Sequence, residues 1–102
     1  DIMEDKILNF LGLAARAGKV VSGEFSVEKL IKANKAKLVL VALDASDPTK
    51  KLFKDKSTYY QVPMYVYGDK DSLGHAIGKQ ARASVGVSDH GFAMALIKLL
   101  EQ

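Results

Sequence analysis

The apolar run Leu38-Val39-Leu40-Val41-Ala42-Leu43 constrains this chain more than any other stretch. It lacks the polar alternation of a half-exposed strand, so it reads as a central strand covered on both faces. Such a strand requires helices above and below it, and the flanking sequence supplies them. Ile7, Leu8, Leu11, Ala14 and Ala15 recur at helical spacing and stop at Gly18, which predicts a first helix. Ser22 or Gly23 can start a second, with Val27, Leu30 and Ile31 on its buried side and Lys29, Lys32 and Lys35 toward solvent. Asp47-Pro48 is a cap and first-turn pair for a third helix, which buries Leu52 and Phe53 and exposes Lys50, Lys51, Lys54 and Lys56. Pro63 to Tyr67 and Ala83 to Val87 read as further strands, separated by a short helix that Asp71 or Ser72 opens and that ends near Gly78. Phe92 to Leu100 closes the chain as an amphipathic helix. This alternation predicts an α/β fold, an α/β/α sandwich around a small sheet.

A chain of 102 residues has room for one core, so a single domain is expected over residues 3–102, with Asp1-Ile2 ahead of Met3 set aside as an expression remnant. No apolar run approaches the roughly 20 residues of a membrane helix, and no secretory pattern opens the chain. A cytoplasmic protein without a membrane partner is the expectation. Cysteine is absent, and His75 and His90 are the only imidazoles, so neither a metal nor a cofactor is expected. Gly12-Leu13-Ala14-Ala15-Arg16-Ala17-Gly18-Lys19 superficially resembles a phosphate-binding loop. It has one residue too many between its glycines, Val20 where Ser or Thr must reach magnesium, and a predicted helix in place of a loop. Gly74-His75-Ala76-Ile77-Gly78 is too short for a dinucleotide fingerprint, and small residues there favour close packing. Neither histidine belongs to a nucleophile or carboxylate constellation, so both read as surface or capping groups. Asp47 reads as a cap, Asp44 stays open, and Tyr59-Tyr60, able in principle to stack bases, reads as partly buried core. No enzyme is predicted, and a methyltransferase or nucleotide hydrolase has no motif behind it.

What remains is Gly18-Lys19-Val20-Val21-Ser22-Gly23-Glu24-Phe25, a glycine-rich turn opening a basic helix. A helix N-terminus offers unpaired N–H groups and a positive dipole end, and Gly23 lets a polynucleotide approach the backbone. The net charge of +3, from 15 Lys and Arg against 12 Asp and Glu, permits nucleic-acid binding without requiring it. Arg16, Lys19, Lys29, Lys79 and Arg82 flank two glycine-punctuated turns, which would make a cationic groove for a bent RNA backbone if they were neighbours in space. The four lysines of the third helix read as its solvated side.

The segment from Phe10 to Glu24, Ala36 to Ala42, Asp44-Ala45-Ser46, Val62-Pro63 and Leu73 to Lys79 together resemble the bacterial YlxQ branch of the ribosomal protein L-seven-Ae superfamily, in order and over nearly the whole chain. The resemblance implies a three-layer α/β/α sandwich with a mixed four-stranded sheet, binding of structured RNA, and ribosomal RNA, the ribosome or other translation proteins as partners. In the superfamily a Gly-x-Asn-Glu-x-x-Lys signature reads the sheared G·A pairs of kink-turn RNA. Setting Ala36-Lys37-Leu38-Val39 in register puts the glycine at Gly23 and the lysine at Lys29, with Phe25 and Ser26 at the Asn and Glu positions. A phenyl ring cannot make the purine-edge hydrogen bonds of that pair, whereas Gly23 and Lys29 still offer close approach and charge. The family's acidic contact falls at Ser46, and its second RNA-facing loop on Lys79, Gln80, Ala81 and Arg82. The implied RNA-binding set is therefore Gly23, Glu24, Phe25, Ser26, Lys29, Ser46, Lys79, Gln80 and Arg82, with Arg16, Lys19 and Lys32 as further phosphate contacts. Ser26 and Gln80 are the candidates for base edges, and Phe25 fits either base stacking or a hydrophobic staple. A monomer is expected. The competing reading is a protein-interaction adaptor of the same fold, which an exposed Phe25 in an apolar patch would favour.

Overall fold

The computed structural model describes residues 5–102, so the remnant reading of Asp1-Ile2 lies outside the described residues. In chain order the elements are α1 (Lys6–Arg16), β1 (Val20–Ser22), α2 (Glu24–Lys32), β2 (Leu38–Val41), α3 (Asp47–Tyr60), β3 (Met64–Val66), α4 (Lys70–Ala76), β4 (Ser84–Val87) and α5 (His90–Leu100). The strands form one mixed sheet in the order β1-β4-β2-β3. β4 runs antiparallel to both β1 and β2, while β2 and β3 are parallel and joined by α3. Helices α2 and α3 pack together on one face of the sheet, and α1, α4 and α5 on the other. The α/β/α sandwich is as the sequence predicts.

The apolar run supplies the centre of the core. All four β2 residues are fully buried, as are Val85 and Val87 of β4 beside them. Leu11 closes this core from one helical layer, with Val27, Ile31 and Phe53 from the other. Gly86 has no side chain between Val85 and Val87, and a Cβ there would meet Leu30 Cδ2 at 3.3 Å and Val27 Cγ1 at 3.4 Å. The missing methyl group lets α2 lie close on the sheet.

Several boundaries differ from the sequence reading, each for a local reason. The Gly18 to Gly23 stretch is no simple turn, because Val20–Ser22 form the edge strand β1, paired residue for residue with Val85–Val87. Four residues separate two glycines at φ +76° and +92°, the three of β1 are too few to show alternation, and only the pairing with β4 makes them a strand. The cap of α3 is Ser46, whose Oγ accepts from Thr49 N at 3.2 Å, with Asp47 and Pro48 inside the first turn. Helix α4 starts earlier than Asp71 or Ser72, since Asp69 and Ser72 form a capping box. Asp89 caps α5, which begins at His90 instead of Phe92. Gly12 to Arg16 lie inside α1, so the first five residues of the phosphate-loop pattern are helical and only Ala17 to Lys19 lie beyond the helix. Tyr59 is a correction: it is 78% exposed and belongs to no core, whereas Tyr60 packs partly inside.

Candidate nucleic-acid interface

Strands β1, β2 and β3 run toward the same end of the sheet, where β4 begins. The junctions β1–α2, β2–α3 and β3–α4 and the loop from α4 to β4 therefore gather there. In open α/β sheets this is where ligands dock. Hydrogen bonds lace the junctions together. Gly23 N donates to Ser84 O at 3.0 Å, Ala42 N to Ala83 O at 2.9 Å, and Leu43 N to Gly68 O at 2.7 Å. Asp44 Oδ1 accepts from Lys70 N at 2.8 Å, and Lys70 O accepts from Arg82 N at 3.0 Å. Asp44 thus acquires a structural role, fixing the backbone that in turn holds Arg82.

The N-terminus of α2 is distinct from those of the other described helices. Asp5, Ser46, Asp69 and Asp89 each cap a helix with a side-chain oxygen, but Gly23 at the head of α2 has none to offer. Gly23 holds φ +92° and ψ 155°, a region essentially closed to other residues. A Cβ placed on it would touch nothing within 4 Å, so backbone conformation, not crowding, requires glycine there. The first N–H groups of α2 have no intrahelical acceptors, and they border a groove of about 420 Å³. Its walls are Ser22, Phe25 and Ser26 on one side and Ala81, Arg82 and Ala83 on the other. A second groove shares Ser22, Ser26 and Arg82 and adds Lys79.

Arg82 is held in place between these grooves. Its Nε donates to Ser22 Oγ at 3.0 Å and its Nη1 to Ala81 O at 3.0 Å, so the guanidinium is oriented before any ligand arrives. The loop carrying it rests on α4 at Gly74, where an added Cβ would lie 1.8 Å from Gln80 O. Only a glycine lets the loop settle so low, which is the close packing that the small residues of Gly74 to Gly78 predict.

The structure brings together Gly23, Glu24, Phe25, Ser26 and Arg82, with Lys79 in the adjoining groove. Phe25 is 78% exposed at the second position of α2, which removes the hydrophobic-staple reading. Lys29 stands four residues further along, on the same helix face. Lys32 is further still, paired with Glu28 at 3.2 Å. Gln80 lines a separate groove with Lys79, Asp69, Asp71 and His75, so Ser26 and Gln80 do not share one wall. Ser46 is at the right end of the sheet, but its Oγ is engaged with Thr49 N and Oγ1. Arg16 faces the furrow between α1 and α4. Lys19 lies at the opposite end of β1, where its carbonyl accepts from Ser88 N and Oγ at 2.9 and 3.2 Å. The expected five-cation groove is therefore narrower, since the Gly18 turn does not join it. Sequence reasoning missed Ser22 as the anchor of Arg82; a serine one residue before a positive-φ glycine was the only signal.

Residues 5–97 match the model of the ribosomal protein L7Ae/L30e/S12e/Gadd45 family. The chain belongs to that family. Over 91 residues, 89% of this chain and 91% of the relative, it is 53% identical to the RNA-binding protein YlxQ of Bacillus subtilis (strain 168). This bears out the resemblance to the YlxQ branch. A solved structure of a protein with unknown function from Bacillus halodurans C superposes with a TM-score of 0.94 at 42% identity, covering 97% of this chain and all of that one. The Giardia lamblia 15.5kD RNA binding protein superposes at 0.80 with 21% identity, over 97% of this chain and 91% of that one, and so shares the L7Ae-family fold.

Proposed function

We propose that this chain is a non-enzymatic RNA-binding protein that docks structured RNA at the uncapped start of α2. The single observation that carries the reading is the juxtaposition of those open N–H groups with Arg82, already oriented by Ser22. The backbone donors suit phosphate or base-edge acceptors, and the guanidinium suits a phosphate taken in two-pronged fashion. Phe25 is bordered by Ser26 and Arg82 and followed by Lys29, which suits a base stacked beside cations better than a protein-binding apolar patch. Membership of a family that includes ribosomal proteins, and the likeness to the RNA-binding protein YlxQ of Bacillus subtilis, support RNA as the ligand and the cytoplasmic translation machinery as its setting. Within structured RNA, a sharply bent backbone such as a kink-turn fits best, with Phe25 stacking where the family's Asn-Glu pair would hydrogen-bond.

Titration of the protein with a kink-turn RNA and a plain duplex at two salt concentrations tests this. Kink-turn affinity should exceed duplex affinity, and Lys29→Ala should weaken binding and reduce the slope of log K against log salt by about 1. Equal affinities would remove the preference for bent RNA. Absence of binding to both would put the protein-interaction adaptor first.

A further inference from the structure

The surface between α2 and α3 carries a second set of nucleic-acid features. Phe25, Lys29 and Lys32 fall at i, i+4 and i+7 and so form one stripe along α2, leading away from the groove. At its far end Glu28 Oε2 meets Lys32 Nζ at 3.2 Å and Lys56 Nζ, from α3, at 3.8 Å. Two ammonium groups sharing one carboxylate leave net positive charge at the seam between the helices. Beyond Lys56, along the same flank of α3, lies a shallow furrow of about 560 Å³ lined by Leu52, Asp55, Lys56, Tyr59 and Tyr60. The acid in it, Asp55, is paired with Lys51 at 2.8 Å. Tyr60 anchors the platform in the core, and its ring meets that of Tyr59 edge-on, with centroids 4.9 Å apart and planes at 72°. Tyr59 is thereby braced while remaining 78% exposed. Apart from that contact with Tyr60, the ring belongs to no core cluster among the described residues.

We propose that an unpaired RNA strand leaving the groove follows this stripe and stacks a base on Tyr59. The inference rests on RNA docking at α2 and adds a single-stranded track to it. Spaced cations ending on an aromatic face are the elements of sequence-tolerant single-strand binding: lysines follow the phosphates, and a ring accepts any base. The basic residues of α2 and Lys56 therefore extend the RNA footprint beyond the bent element itself.

The test compares one structured RNA with and without a single-stranded uridine tail of about nine nucleotides. The tail should tighten binding by about tenfold, Tyr59→Leu should abolish that gain, and Tyr59→Phe should keep it, because stacking needs the ring and not the hydroxyl. Affinity for the tail-less RNA should be the same in all three proteins. Tyr59 is exposed enough for both variants to fold, which circular dichroism verifies. A tail without effect, or a gain that survives Tyr59→Leu, overturns the track. The free uridine strand, titrated alone, separates the two readings. If the structured RNA fails to bind while the strand still binds in a Tyr59-dependent way, docking at the groove falls, and with it the continuous track, and only stacking on Tyr59 stands.

Discussion

Ser22 and Arg82 show how a small polar residue sets the position of a charge. The guanidinium would sweep a wide arc on its flexible stem, but the bond from Nε to Ser22 Oγ fixes it beside the open end of α2. Ser22→Ala removes the anchor and leaves the charge. RNA binding should then weaken by about 0.5–1.5 kcal/mol while the salt slope stays at the parent value, read by titration at several salt concentrations. A flattened slope would instead mean that Arg82 had left the interface. At this scale the sequence is legible only in part. Gly23 announces itself, because a glycine before a helix with no capping side chain asks for a special backbone. Ser22 does not, because its partner is 60 residues away and only the pairing of β1 with β4 brings them together.

Among the elements, α4 governs the second wall of the groove. Its Gly74 supports the Lys79 to Arg82 loop, and Lys79 N donates to Gly74 O at 2.8 Å. Gly74→Ala forces Gln80 O away from a position it cannot share with a methyl group. The cost should be about 1–3 kcal/mol in chemical denaturation, and RNA affinity should fall with it because Lys79 and Arg82 move. An unchanged denaturation midpoint would mean that the loop is free to rise without consequence. Helices α1 and α2 were legible from apolar spacing, and β2 from its unbroken apolar run. The starts of α3, α4 and α5 were misread because several capping residues stand close together in each junction, and the choice among them depends on which backbone the neighbouring strand fixes. β1 was illegible for a stronger reason: a three-residue edge strand has no pattern of its own and exists through its partner.

Across the whole molecule, the end of β3 is tied to the first helix by one side-chain bond. Tyr67 Oη donates to Asp5 Oδ2 at 2.6 Å, while Asp5 Oδ1 caps α1 by accepting from Leu8 N at 2.9 Å. Partial burial, reinforced by the carboxylate of Asp5, pushes the Tyr67 phenol up from 10.0 to about 12. A raised folded-state value means that the bond contributes fully below pH 10.0 and is lost as pH climbs through about 12. Thermal melting of the parent and Tyr67→Phe should therefore differ by a constant margin up to pH 10.0, and the gap should close toward pH 12. A gap that widened at high pH would refute this assignment. The joining of Gly23 N to Ser84 O has a wider consequence. The floor of the groove joins the end of one strand to the start of its neighbour, so its walls stand on a spacing of about 4.8 Å set by the backbone ladder. Side-chain adjustment cannot change that gauge at the floor, whatever the loop above it does. The floor of the groove is a fixed template, so a ligand seated there as proposed would have to supply the adaptation of shape.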